Sequence, residues 1–144
     1  MTDEQAEALG RRLLACDGFR WMPGMLARHA HTGPIRVLCD QDGENYAEIT
    51  VGPGPDGNEM QRPYEWGVVG RFPASGAFPC WPDMRDPATL GCALALVRER
   101  HGGSCCCVPA GHEWDVDDGL GDSILNDPEP TEAEALVAAM EAAP

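Results

Sequence analysis

Lysine is absent from this sequence. The chain of 144 residues has ten basic residues, all arginine, and 24 acidic residues, so its formal net charge is −14. No basic residue follows Arg100, whereas ten acidic residues do. Nucleic acids and anionic membranes are bound by clusters of cations, so we predict that this protein binds neither. Its acidic surface suits solubility or a basic protein partner.

Long apolar runs are also missing. No segment approaches the roughly 20 apolar residues that a membrane span requires. The start, MTDEQAEALGRR, is acidic and polar, unlike a secretory or transit signal. The seven cysteines are odd in number, which argues against a secreted disulfide framework and favours reduced thiols. We therefore predict a cytoplasmic protein with a single domain over residues 1–144.

The common catalytic motifs are absent as well. The sequence has no G-x-S-x-G, no P-loop, no G-x-G-x-x-G and no H-E-x-x-H. The four histidines and the scattered acidic residues define no acid–base pair without a fold to bring them together. We predict a protein that is not an enzyme and has no cofactor.

Three segments have the signals of helices. In the central one, Asp86 can accept from free amides of the first turn, and Pro87 occupies the first helical position, where its missing N–H costs nothing. From Leu90, apolar residues recur at i, i+3, i+4 and i+7, and Gly102 follows the last turn. The other two segments open with a threonine in a capping-box pattern. The predicted helices span 3–15, 87–101 and 131–142.

Strands are predicted from alternating apolar and polar residues. Residues 104–116 form either one bent strand or two short ones, and 117–130 form an acidic linker to the last helix. The resulting order, αββββαβα, predicts an α+β domain in which an antiparallel sheet of about four to five strands packs against two or three helices. The other predicted strands lie within 19–25, 35–40, 46–51 and 64–72. In the first of them Pro23-Gly24 predicts a turn or a strand break, after which residues 26–31 either resume the strand or form a loop.

One group of residues has the composition of a metal site. His101, Cys105, Cys107 and His112 supply four nitrogen and sulfur donors, which is zinc chemistry in residue type. Structural zinc sites, however, use C-x2-4-C pairs, and these cysteines are separated by a single residue. A buried strand of small residues beside two surface histidines gives the same pattern. We predict no metal and keep this set as the alternative.

Arginines flank aromatic residues in the predicted strand region. Arginine beside an aromatic ring is what a phosphate-bearing aromatic ligand such as a nucleotide requires, although an ordinary core with a strand surface has the same composition. One small sheet offers only a shallow surface, whereas two copies can enclose a ligand. We therefore predict a small anionic ligand bound at the interface of a homo-oligomer. The candidate ligand-binding residues are Arg20, Trp21, Arg36, Trp66 and Arg71.

Three stretches of the chain resemble a known group of proteins. WMPGM (Trp21–Met25), DPATLGCALALVRE (Asp86–Glu99) and TEAEALVAAMEAAP (Thr131–Pro144) are similar to small accessory proteins of tailed bacteriophages and prophages from GC-rich bacteria. No function is assigned to that group, and the shared stretches are structural, so they transfer no functional residues. The resemblance implies a viral protein in the bacterial cytoplasm.

The functional hypothesis that follows is counter-defence by sequestration of a small nucleotide-type immune signal. Two alternatives stay open. The protein inhibits a host protein through its acidic surface, or it is a virion or morphogenesis component.

Overall fold

The computed structural model describes residues 1–29, 33–39, 45–53, 59–63 and 80–143. The α+β class is confirmed, with antiparallel strands and three helices. Within the described residues, no helix has the length and apolar character needed to cross a membrane. In chain order the elements are α1 (Asp3–Ala15), β1 (Leu26–His29), β2 (Gly33–Cys39), β3 (Asn45–Pro53), β4 (Glu59–Pro63), β5 (Cys80–Pro82), α2 (Pro87–His101), β6 (Cys106–Ala110), β7 (Glu113–Asp117) and α3 (Glu132–Ala142).

The strands form two antiparallel sheets. One has the order β4-β3-β2-β1-β5, and β6 and β7 form a separate hairpin. The predicted order αββββαβα is not confirmed, because β5 lies where no strand was predicted and two short strands occupy 104–116. The register of β2 and β3 pairs Arg36 with Glu48. The strand predicted over 64–72 lies outside the described residues.

The strand predicted before Pro23 does not form, whereas the turn predicted at Pro23-Gly24 is confirmed. Gly24 has φ +97°, a left-handed conformation that breaks an extended strand. Its N–H donates to the carbonyl of Val37 at 2.7 Å, which places the turn beside β2. The strand begins afterwards, at Leu26.

The three predicted helices are confirmed, and local caps explain their ends. The hydroxyl of Thr2 accepts from the N–H of Gln5, whose side chain accepts in return from the Thr2 N–H. Asp86 accepts from the N–H of Thr89, and Gly102 ends α2 with φ +95°. Such caps satisfy amides and carbonyls that a helix leaves without an internal partner.

The core lies where the three helices meet the sheet and the hairpin. The α3 helix packs against α1, α2 and both hairpin strands, and six of its eleven residues are buried. Leu13 of α1, Leu96 of α2 and Leu136 of α3 are fully buried, and Val116 joins them from β7. The inner side of the hairpin therefore contributes to the core of the domain.

Residues 117–130 fold back along the hairpin. Trp114 of β7 exchanges two backbone hydrogen bonds with Glu129, at 2.7 and 2.8 Å, and Ile124 donates to Val116 at 2.8 Å. The N–H and C=O groups of Trp114 therefore point away from β6. Pro109, which lies opposite Trp114 on β6, consequently occupies a non-hydrogen-bonded position. The missing N–H of Pro109 consequently costs no ladder bond.

Candidate functional site

The structure does not assemble the predicted ligand-binding residues into a pocket within the described residues. The guanidinium of Arg20 donates to both carboxylate oxygens of Glu99, at 2.6 and 2.7 Å. Trp21 is buried in the core with its ring edge-on to Phe19, the ring centroids 5.5 Å apart. Both side chains therefore make structural contacts within the chain.

Arg36 is engaged in joining β2 to the start of α2. Its Nη1 donates to the carbonyl of Gly24 at 2.7 Å and to the carboxylate of Asp86 at 3.0 and 3.1 Å. Burial raises the pKa of Asp86, but hydrogen bonds from Arg36 and Thr89 outweigh burial and leave that pKa below its ordinary value. The other two predicted residues, Trp66 and Arg71, lie outside the described residues.

The alternative metal set is not assembled either. Nε2 of His101 lies 2.8 Å from the carbonyl oxygen of Ala139. Since a carbonyl only accepts, this nitrogen carries the proton and is not free to bind a metal. His112 occupies the exposed turn of the hairpin. Over the described ranges, no three His, Cys, Asp or Glu side chains are grouped to hold a metal ion.

The two cysteines of that set are shielded from ionisation. Cys105 is fully buried, and burial raises the pKa of its thiol. Burial likewise raises the pKa of Cys107, to about 11. Metals and electrophiles react with the thiolate, so both side chains act as small apolar groups at neutral pH.

A buried charged cluster was missed by the sequence reasoning. Asp83 is 2% exposed and accepts from Nε of Arg28 at 2.7 Å and from Nε of Arg85 at 2.9 Å. Arg85 also pairs with Asp3 at the start of α1. The cluster connects β1, α1 and the residues just before α2. The Asp83 carboxylate is already hydrogen-bonded to the two arginines. No motif indicates the cluster, because Arg28 lies 55 residues from Asp83.

The hairpin and residues 117–130 together form a strongly charged surface, called here the acidic hairpin surface. Its carboxylates accept hydrogen bonds from neutral groups of the same segment. Oδ1 of Asp118 accepts from the N–H groups of Leu120 and Asp122, at 2.8 and 3.2 Å, and Oδ1 of Asp117 accepts from Gly119 at 2.7 Å. Because these donors, all within the described part of the chain, are neutral, they leave the negative charge of the carboxylates uncompensated. Further acidic side chains of these residues are Glu113, Asp115, Asp127 and Glu129. Of these, Glu129 is near enough to Arg12 to interact with its charge.

Leu120 projects from this surface. It is 89% exposed, whereas the other exposed large apolar side chain of the described residues, Met1, is 48% exposed. Gly119 and Gly121, on either side, have φ +82° and +97°. Glycine is the residue that takes this conformation without strain, so both neighbours of Leu120 are at positions that suit glycine.

Replacing Gly119 by alanine is expected to lower the free energy of unfolding by about 1–3 kcal/mol. A Cβ there would lie 2.4 Å from the carbonyl oxygen of Ser104, in addition to the left-handed strain. Gly121→Ala is the matched control, because it has the same strain but nothing within 4 Å. Urea unfolding should show the larger loss for Gly119→Ala, and equal losses would contradict a close contact with Ser104.

Two open cavities flank Arg12 within the described part of the chain. One, of about 440 Å³, lies where the C-terminal ends of the three helices meet. The other, of about 430 Å³, lies between α1 and the start of α3. Nε and Nη2 of Arg12 donate to Glu141 at 3.0 and 2.7 Å. Neither cavity is lined by a predicted ligand-binding residue.

Comparison of the chain with protein-family models, with curated proteins and with solved structures finds no match.

Proposed function

We propose that this protein is a non-enzymatic binding protein that acts on a basic protein partner through its acidic hairpin surface. The supporting observation is that charged side chains have different partners on the acidic hairpin surface and in the rest of the described chain. Several arginines outside this surface are engaged by carboxylates near them, as in Arg20–Glu99 and Arg36–Asp86. The hairpin carboxylates accept instead from backbone N–H and serine hydroxyl groups.

Carboxylates that are not paired with cations favour a partner with a basic surface. Uncompensated carboxylates on one face attract a cationic surface, accelerate its encounter and disfavour acidic partners. From the resemblance of the sequence to phage accessory proteins, we propose that this partner is a protein of a bacterial host and that binding inhibits it. Inhibition of a defence protein is the form of counter-defence that these charges fit.

Sequestration of a nucleotide-type signal by a homo-oligomer stays a prediction. Two of the described candidates, Arg20 and Arg36, are held in ion pairs within the chain. The hypothesis therefore depends on Trp66 and Arg71, which lie outside the described residues.

Removing two exposed charges from the acidic hairpin surface should weaken partner binding about fivefold, since exposed charge pairs contribute about 0.2–1 kcal/mol each. The variant is Glu113→Gln with Asp122→Asn; both residues are exposed. Its matched control, Glu4→Gln with Asp17→Asn, changes the net charge equally at exposed positions of the helical half.

The measurement begins with affinity purification from bacterial lysate, identification of the partner by mass spectrometry, and reconstitution with the purified partner. Titration calorimetry then compares the two variants with the parent protein. We expect the control to stay within about twofold of the parent. An acidic partner, or equal weakening by both variants, would overturn the proposal, as would native mass spectrometry showing a retained small molecule and no bound protein.

A further inference from the structure

Leu120 is an apolar side chain that the fold holds out in solvent. An 89% exposed leucine leaves nearly all of its apolar area available for burial against another molecule, and burial of one leucine side chain contributes about 1.5–3 kcal/mol. The carboxylate of Asp118 accepts from the N–H groups of Leu120 and Asp122, which lie on either side of Gly121. These hydrogen bonds hold the backbone around Leu120 in place, so binding would not have to order it first.

We propose that Leu120 is the apolar anchor by which the acidic hairpin surface binds its partner, an inference that rests on the proposed function. The partner surface that fits is cationic and has an apolar pocket or face, such as the side of an amphipathic basic helix. Protein interfaces commonly place a buried apolar residue at the centre and charged residues at the rim. Leu120 would take the central place here, since Asp118 and Asp122 lie on either side of it in the chain.

Charge decides between this partner and other occupants of the surface. A second copy of the chain would bring the same carboxylates against Asp118 and Asp122, and like charges facing each other disfavour that contact. Nucleic acid would be repelled in the same way. A surface with lysine or arginine around an apolar group can bury Leu120 and pair with the carboxylates at the same time.

The test uses two defined helical peptides of equal length and charge, one made of lysine and leucine and the other of lysine and alanine. The parent protein should bind the lysine–leucine peptide about tenfold more tightly, because only that peptide offers Leu120 a large apolar face. Leu120→Ser should abolish the preference and leave the affinity for the lysine–alanine peptide unchanged. Asn126→Ser, an exposed uncharged position of the same segment, should keep it.

The outcomes separate this inference from the proposed function. If Leu120→Ser retains the tenfold preference, Leu120 is not the anchor. If the variant Glu113→Gln with Asp122→Asn binds both peptides as tightly as the parent, the charge-based function fails. Absence of binding to either peptide overturns both. Misfolding does not confuse the result, because equal urea midpoints for Leu120→Ser and the parent are expected from an 89% exposed side chain.

Discussion

Asp83→Asn is expected to lower the free energy of unfolding by about 2–4 kcal/mol. Asparagine keeps the shape of the side chain but removes the charge that faces Arg28 and Arg85. Breaking a fully buried ion pair from one side costs about 3–5 kcal/mol. The loss here is smaller, because the side chains of Arg28 and Arg85 are 39% and 31% exposed and water can solvate them.

Urea unfolding at neutral pH measures this loss, and Glu99→Gln is its control. Glu99 pairs with Arg20 at the surface, where both side chains are about half exposed, so its removal should change stability little. A loss for Asp83→Asn no greater than for Glu99→Gln would show that the cluster contributes nothing beyond a surface pair.

The same variant should also change the pH dependence of stability. Burial raises the pKa of Asp83, but hydrogen bonds from Arg85 and Arg28 outweigh burial and leave that pKa below its ordinary value. A lowered folded-state pKa means that the stabilisation is present above the unfolded-state pKa, about 3.9, and is lost as the pH falls through the folded-state value. The difference between parent and Asp83→Asn should therefore shrink as the pH is lowered from neutral through the acidic range. A constant difference across that range would contradict a charge effect.

Gly10→Ala should destabilise the protein by about 1–3 kcal/mol, the cost typical of overpacking, although alanine is the better helix former by about 1 kcal/mol. A Cβ at Gly10 would lie 2.3 Å from the carbonyl oxygen of Pro82 and 3.1 Å from Cδ1 of Trp81. Because the nearest atom belongs to the backbone of β5, α1 would have to move away from the strand.

A second helical glycine provides the control for this change. Gly91 in α2 has nothing within 4 Å of an added Cβ, so Gly91→Ala should stabilise the protein by up to about 1 kcal/mol. Thermal and urea unfolding of the two variants should move in opposite directions. Stabilisation by both would mean that α1 does not approach β5 as closely as the structure places it.

The helices were predictable because their signals are local. Thr2, Asp86 and Thr131 each cap an amide three residues away, an interaction that depends on chain spacing alone. The turn at Gly24 was likewise predictable from the local Pro23-Gly24 pair, but the strand predicted just before it does not form. Alternating residues around Trp21 favour a strand. The Trp21 side chain is indeed buried, but its backbone is not part of a sheet.

The candidate site was less predictable, since its residues take their roles from distant partners. Arg20 looked available for an anion, and its carboxylate partner Glu99 lies 79 residues away. Arg36 is held by Asp86, 50 residues away. No periodicity or motif indicates such pairs, because they depend on how α2 packs beside the sheet.

Neighbouring residues and composition were enough to define the helix boundaries, the α+β class and the concentration of acidic residues after Arg100. The compensation of individual charges and the exposure of individual side chains emerged from packing alone. Packing brought Arg28 to Asp83 and left Leu120 outside, since burial depends on contacts between segments that are far apart in the chain.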